Sequence, residues 1–513
     1  VFLFLPKYLQ FCSIKTGKMT LLPFTKRIQI GLIAFILLAL AACTGISTQD
    51  KEAKRRATAD SLMQVNIGQL LQQQFLPDSL AKWFKPKNIS HVQQALKTAY
   101  QTSDNKPLWI DPSAGQPLPA AAAYIQELQN APNHALNSQT YLLQPLLQQQ
   151  QILAGAAANA PYDTLLSSKA QYDVLLTASA LAYAADLNNG YLTPAKNWDL
   201  PAKTPPAAAA LTAALSAGQI NQFITAAAPA YEGYQKLQQQ YAQYRQAAQD
   251  NPKAKAPDYN LTNQELAQKI AINMERYRWL PHPDSVSPRR VWVNIPEFKM
   301  HVFDNNKEID QIVVVVGEPK HATPIIVNKP MTNVVFSPTW TIPPSIGWEE
   351  MEYIIMNPAV LITADVDVFI DGKKTDPREV DWSTIEKRRV KMRQRPKTTN
   401  SMGLVKFPFA NNFGIYIHDT PNKVDFGGAY RAQSHGCVRV QEPKKLAQLM
   451  LNGSKWTEGS IGSAMYSGKE QFAKLPQPVS VTIFYLTTWV DDNGKLQFGR
   501  DVYGHDKRQI AQL

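Results

Sequence analysis

The residues best suited to do chemistry lie in one stretch, Phe413 to Val440, which reads FGIYIHDTPNKVDFGGAYRAQSHGCVRV. Ile415 and Ile417 alternate with Tyr416 and His418, so on a strand Tyr416 and His418 share one face. A glycine-bearing loop follows, and then Ser434-His435-Gly436-Cys437. A thiol attacks only as its thiolate, and a free pKa of about 8.5 leaves little thiolate at neutral pH. A neighbouring imidazole lowers that pKa and can carry the proton away; His418 and His435 are both near in sequence. Gly436 has no Cβ, so a carbonyl could approach the backbone N–H groups closely. Those groups and the Tyr416 hydroxyl could form an oxyanion hole. Two plainer readings compete. A lone cysteine is usually a small buried hydrophobe, and His418, His435 and Cys437 could be zinc ligands. No fourth ligand is obvious for zinc, and residues at i and i+2 make an awkward pair, so no metal and no organic cofactor is expected.

The N-terminus bears on the compartment. Lys26 and Arg27 precede an apolar run, Ile28 to Ala42, of signal-peptide length and too short for a comfortable membrane span. The run ends in Leu40-Ala41-Ala42-Cys43, which resembles a bacterial lipobox, where cleavage before the cysteine is followed by acylation of its thiol. Met19 would start a leader of conventional length. The sequence holds three cysteines, Cys12, Cys43 and Cys437. With Cys12 in the leader and Cys43 lipidated, Cys437 has no disulfide partner, and an unpaired thiol in an exported protein is a candidate reactive group. The formal net charge is +12; residues 1–42 hold five cations and no acid, leaving +7 for the rest. Such a basic excess suits an acidic partner, and behind an export signal a carboxylate-rich cell wall fits better than nucleic acid, which is not expected as a partner.

Two kinds of element must position these residues. From about 61 to 248 the chain is rich in Ala, Gln and Leu and reads as helices, with Tyr231, Tyr234, Leu237, Tyr241 and Tyr244 on one helical stripe. From about 289 the period changes to that of strands: Arg290–Ile295, Phe298–Val302 and Ile309–Val316. Val479–Val490 and Leu496–Tyr503 flank Asp492-Asn493-Gly494, a hairpin signal. A charged stretch from about 345 to 400, with helical segments, interrupts the strands. The expected fold is therefore α+β and multidomain, helical first and mainly β afterwards.

The pattern His418, fifteen residues, Ser434-His435-Gly436-Cys437, then Val438 and Arg439 resembles the signature of L,D-transpeptidases with a YkuD-type catalytic domain. Further segments resemble the larger, YcbB-like members: Asn273–Pro281, Val293–Phe298, Phe336–Ile346, Val380–Trp382, Leu404–Phe407 and His418–Pro421. Leu175–Leu181 and Asp186–Gly190 resemble their helical scaffold. The resemblance implies that Cys437 attacks the carbonyl of the third residue of a peptidoglycan stem and releases D-alanine from position four. His418 would be the base, held by the backbone carbonyl of Asp419. His435 would support the site, and Tyr416 with the amides around Gly436 and Cys437 would stabilise the oxyanion. Ser434 and Arg439 would order the site or meet a substrate carboxylate, with Trp340, Arg393 and Arg395 as further substrate contacts. The thioester would pass to the side-chain amine of another stem, giving a 3→3 cross-link, and carbapenems would acylate the thiol. One departure is that YcbB-like members usually insert a peptidoglycan-binding module before the catalytic domain, whereas too few residues separate Tyr244 from Trp279 to hold one.

The expected organisation is thus a signal peptide at 1–42, a lipidated tether at 43–60, a helical scaffold at 61–285, a catalytic domain at 286–490 with a lid insertion at about 345–400, and a C-terminal hairpin strand and tail at 491–513. The basic run Lys387 to Lys397 would give the lid affinity for acidic stems. Thr44 after the lipidated cysteine suggests the outer membrane, facing the periplasm. The alternatives are a non-enzymatic wall-tethering lipoprotein, and a cysteine enzyme that hands its acyl group to water or to a lipoprotein lysine. Papain-like enzymes place Cys before His, and sortases lack Ser-His-Gly-Cys.

Overall fold

The computed structural model describes residues 48–73, 86–111, 116–156, 162–344, 354 and 356–513; the leader and the lipidation residue Cys43 lie outside them. The first helix, α1 (Thr48–Gln73), begins inside the stretch expected to be a tether. Its KEAKRRATAD segment is built from good helix formers, so polarity there marks a helix with exposed positions such as Lys54 and Ala57. Helices α2 (Pro86–Thr102), α3 (Pro119–Gln129), α4 (Leu143–Ala156), α5 (Tyr162–Asn189), α6 (Ala208–Ser216) and α7 (Ile220–Ala227) follow, with a short antiparallel pair, β1 (Ile110–Asp111) and β2 (Gln116–Pro117). The middle of α5 is buried all round, from Tyr172 to Leu187. A helix apolar on every side belongs at the centre of a domain, and the other helices pack around it.

Helices α8 (Glu232–Asp250) and α9 (Asn263–Arg278) form an antiparallel hairpin. The start of α9 is fixed by a reciprocal cap between Thr262 and Glu265. The tyrosine stripe of α8 turns Tyr234, Leu237 and Tyr244 inward, with Tyr231 just before the first turn. This hairpin joins the apolar core of the β domain and not that of the preceding helices. The segment after α5 also reaches the barrel directly, Asp199 bridging to Ile326 and pairing with Lys329.

The β domain is a closed barrel. Its strands are β3 (Arg290–Asn294), β4 (Lys299–Asp304), β5 (Lys307–Gly317), β6 (Ile326–Phe336), β11 (Val405–Phe407), β12 (Ile417–His418), β14 (Val438–Val440) and β15 (Gln471–Phe484). They pair in the order β5-β14-β12-β11-β6-β15-β3-β4, and β4 returns to β5. A ninth strand, β13 (Ala432–Ser434), adds to β5 in parallel. Helices α11 (Pro443–Leu451) and α12 (Glu458–Met465) cover part of the barrel. The predicted hairpin at Asp492–Gly494 is present as β16 (Thr488–Val490) with β17 (Leu496–Phe498). A last helix, α13 (His505–Ile510), docks on α9 through Asp506, which receives both Lys269 and Arg276.

Between β6 and β11 the insertion forms its own sheet, β7 (Trp340–Thr341), β8 (Val366–Ile370), β9 (Lys373–Thr375) and β10 (Val390–Gln394), in the order β7-β10-β8-β9, with one described helix, α10 (Ala359–Thr363). It carries a separate small core that includes Leu361, Val368, Trp382 and Met392.

Candidate active site

Strands β12 and β14 are parallel neighbours, with Ile417 opposite Val438 and His418 opposite Arg439. Ile417 and Val438 are fully buried in the barrel. Because side chains alternate along a strand, Tyr416, His418, Cys437 and Arg439 project together from the opposite face. Parallel neighbours need a crossover between them; residues 419–437 are that crossover, which is why the histidine and cysteine lie so far apart in sequence yet on one face here, with His418 opposite Arg439 and Cys437 one residue before Val438. Lys406 of β11 pairs with His418 from the other side and joins the same face.

The His418 ring is buried, and its Nδ1 lies 2.5 Å from the carbonyl oxygen of Asp419. A carbonyl can only accept, so Nδ1–H donates, and the neutral ring keeps its Nε2 lone pair as a base. Asp419 is itself braced. Its carboxylate accepts from the N–H groups of Leu404 at 2.8 Å and Thr420 at 2.7 Å, and pairs with Lys423. Burial, reinforced by the Arg439 charge, lowers the His418 pKa to about 3, against the pull of the Asp419 carbonyl. Burial pushes the Cys437 thiol up, opposed by a hydrogen bond to the Tyr416 backbone and by Lys406 and Arg439. Both side chains are thus pushed towards their neutral forms, the imidazole downward and the thiol upward.

The loop before the nucleophile is held from three directions. Gly436 has φ +105°, a conformation that favours glycine. The Ser434 hydroxyl donates to the Cys437 carbonyl at 2.5 Å and accepts from the Gly436 N–H at 3.2 Å. Thr323 donates to the Gly436 carbonyl at 2.7 Å. Gly317 must also be glycine, since a Cβ there would meet the His321 carbonyl at 2.1 Å. Ser434 is buried, with its hydroxyl engaged within the loop. The Gly436 N–H already serves Ser434, so an oxyanion there would share that donor.

Arg439 donates to Asp425 at 2.8 Å, which makes it an ordering residue. His435 is exposed and its ring stacks on His321, centroids 4.8 Å apart. Tyr416 is half-buried, with the Lys406 ammonium 3.6 Å from its ring centre. Trp340, Arg393 and Arg395 belong to the insertion. Trp340 pairs with Gln394, Arg393 is exposed on β10 with its guanidinium over Phe369, and Arg395 faces Asp365 and Asp367. The basic run is thus partly neutralised by its own sheet, with Lys397 also bonded to Asp365. Sequence reasoning missed several contributors, Thr323, Asp425 and His321 among them, and two more stand out. Lys406 was visible only as one letter of a motif, although its strand period puts it on the His418 face. Tyr503 lies in the C-terminal tail, and its hydroxyl donates to the Gly317 carbonyl at 2.7 Å and accepts from the Thr323 N–H. Only the fold brings that tail beneath the nucleophile loop.

A buried imidazole, a thiol on the same sheet face and a loop fixed by backbone bonds come together at one end of the β barrel. Comparison with known proteins makes this specific. Residues 288–458 match the L,D-transpeptidase catalytic domain (YkuD), and residues 94–240 match the Scaffold domain. The chain therefore carries a YkuD-type L,D-transpeptidase catalytic domain behind a helical scaffold, the YcbB-like architecture. A Haemophilus influenzae protein provisionally named as an L,D-transpeptidase is 30% identical over 273 residues, 53% of this chain and 54% of the relative. The chain thus spans about half the length of this curated relative. A solved structure, the Ldtfm-avibactam carbamoyl enzyme, shares 14% identity over 39% of this chain and 50% of that one, with a TM-score of 0.18; that similarity is too slight to build on.

Proposed function

We propose that this protein is a peptidoglycan L,D-transpeptidase that forms 3→3 cross-links through a thioester on Cys437. The observation that carries the reading is the parallel register of β12 and β14, which sets the thiol and the His418 base on one face. In the first half-reaction Nε2 of His418 takes the thiol proton as sulfur attacks the carbonyl carbon of the third stem residue. The oxygen charge that develops is met by donors around Gly436 and Cys437 and by Tyr416. Collapse breaks the bond to D-alanine, whose nitrogen takes the proton back from His418. In the second half-reaction the side-chain amine of another stem attacks the thioester, gives a proton to His418, and releases the thiol.

The insertion, through Trp340, Arg393 and Arg395, would cover bound stems. Charge reversal at Arg393 and Arg395 that left turnover of soluble stems intact would remove that part of the reading. The apolar run ending at Cys43 favours a lipid anchor and a periplasmic site, probed by labelling cells with radioactive palmitate and fractionating their membranes.

The direct test incubates protein lacking residues 1–43 with disaccharide-tetrapeptide and follows muropeptides and intact protein by mass spectrometry. The expected product is a dimer lacking one D-alanine, absent with Cys437→Ala. An adduct without a dimer would keep Cys437 as nucleophile and turn the reading towards water or another amine as acceptor. Neither adduct nor product from folded, stem-binding protein would favour a wall-tethering role. A carbapenem is expected to add covalently to the parent and not to Cys437→Ala.

A further inference from the structure

Beside the nucleophile lies a second cluster that the acyl-transfer chemistry does not use. Glu318 and His321 sit on the turn after β5, and His435 sits on the loop before Cys437. One donor atom from each of these three residues falls within 4.8 Å of the others. The cluster is built by backbone as well as side chains. The Glu318 N–H donates to the Ser434 carbonyl at 2.9 Å, and the His321 N–H donates to the Glu318 carbonyl at 3.0 Å. The Glu318 carboxylate meets Nδ1 of His321 at 2.9 Å, and the two imidazoles lie face to face with an interplanar angle of 28°. The bonds from Thr323 to Gly436 and from Tyr503 to Gly317 fix both loops from behind.

Two imidazoles and one carboxylate are a donor set suited to zinc and its neighbours, and three protein ligands leave a fourth position for water. Zinc bonds of about 2.0–2.2 Å place tetrahedral ligands about 3.3–3.6 Å apart, so closing the cluster on an ion needs a movement of about 1 Å. The Cys437 thiol is not part of the cluster. This differs from the zinc set conceivable from sequence, which needed His418 and Cys437 themselves.

We propose that Glu318, His321 and His435 bind a divalent transition-metal ion of the zinc class, and that the bound ion acts as a reversible brake on Cys437. The ion ties the 318–321 turn to the nucleophile loop two residues before the thiol. It also occupies the exposed side of that loop, narrowing the approach to sulfur. The site leaves the nucleophile chemically intact, so chelation restores access.

The test titrates metal-free full-length protein with zinc chloride by calorimetry and measures iodoacetamide labelling of Cys437 with and without zinc. One ion per chain is expected in the parent and equally in Cys437→Ala. Affinity should fall at least tenfold in His321→Ala and in Glu318→Gln, the second of which retains a hydrogen-bonding group towards His321. Zinc should slow labelling several-fold in the parent, reversed by a chelator, and leave labelling of His321→Ala unchanged. Loss of binding in Cys437→Ala would overturn the proposal by making the thiol the ligand. Unaltered affinity in folded Glu318→Gln and His321→Ala would overturn the site, and tight binding with unchanged labelling would overturn the brake.

Discussion

The scaffold and the barrel each bury a titratable side chain at the centre of a hydrogen-bond network, and the two networks are built to opposite ends. Asp173, on α5, accepts from the Tyr100 hydroxyl at 2.6 Å and from the N–H groups of Leu108 and Trp109 at 3.0 and 2.7 Å. Tyr100 and the Trp109 indole then meet Thr177 one turn further along α5. Burial raises the Asp173 carboxyl to about 6 even against these donors. Its acceptor capacity is used to fasten a turn to a helix. His418 gives one nitrogen to a braced carbonyl and keeps a lone pair on the other. A buried polar group whose capacity is spent is architecture, whereas one held firmly with capacity in reserve is chemistry. Between the two, Arg278 bridges the regions, pairing with Glu275 at 2.6 Å and donating to the Tyr234 hydroxyl and to the His134 carbonyl of the scaffold.

The comparison breaks most visibly at the base. His418→Ala is expected to lower acylation by a carbapenem or a stem by about 10²–10⁴-fold, the usual worth of a positioned general base, in protein that still folds. With His418 held near a pKa of 3, it stays neutral at any ordinary pH and sets no acid limb there. A neutral pair that passes its proton during attack keeps the rate level across neutral pH, and the raised thiol moves any further rise, from the thiolate itself, into the alkaline range. A rate that instead fell off below pH 6–7 would show a standing thiolate–imidazolium pair and remove the neutral-pair description. Asp173→Ala should do the reverse. Each buried donor left without an acceptor costs about 1–3 kcal/mol, so a stability loss of about 3 kcal/mol is expected by denaturant unfolding. The pH profile of Cys437 labelling in the folded protein should not move.

The barrel also contains a network of the scaffold's kind, which sharpens the distinction. His301 lies between Glu297 at 2.9 Å and Glu308 at 3.0 Å. Burial opposes its charge, but these two hydrogen bonds outweigh burial and raise it to about 9. A histidine whose folded pKa exceeds its ordinary 6.5 adds stability that is full below that value and lost as pH rises through 9. At about 1.4 kcal/mol per unit, the loss between pH 7 and 10 is on the order of 2–3 kcal/mol. Denaturant midpoints should fall over that window in the parent, and by much less in His301→Gln. Equal slopes would mean that the ion pairs are screened.

How much of this was legible beforehand follows from where each residue sits. Tyr416 and His418 alternate with buried isoleucines, so their shared face could be read from period two. The Asp419 carbonyl could be named because it lies one residue from the ring it orients. The tyrosine stripe of α8 was readable as a buried face, yet its attachment to the barrel core depends on tertiary packing. Ser434 could be read from sequence either as ordering the site or as meeting a substrate carboxylate, and only the fold shows its hydroxyl engaged in the tight Gly436 turn. Tyr503 and His321 reach the site from distant segments through closure of the barrel, and no local pattern announces that. The insertion looked charged with helical segments because its exposed cations dominate the composition, while Val390, Met392 and Gln394 alternate inward as a strand.

Lys406 offers the finest test of the distinction, because it belongs to both descriptions. It occupies a barrel strand opposite His418, and its ammonium lies over the Tyr416 ring, a cation–π contact that could serve stability alone. Burial lowers its pKa, and the Cys437 charge partly restores it; the reciprocal effect lowers the thiol. If Lys406 acts on the nucleophile, Lys406→Met keeps most of the packed stem, removes the cation, and moves the thiol pKa further upward. Labelling at neutral pH should then fall severalfold and recover at higher pH. Lys406→Arg should keep the neutral-pH rate, because the charge remains. If the lysine serves only the ring, Lys406→Met will lower the melting temperature slightly and leave the labelling profile in place, and Lys406 will belong with Asp173 and not with His418.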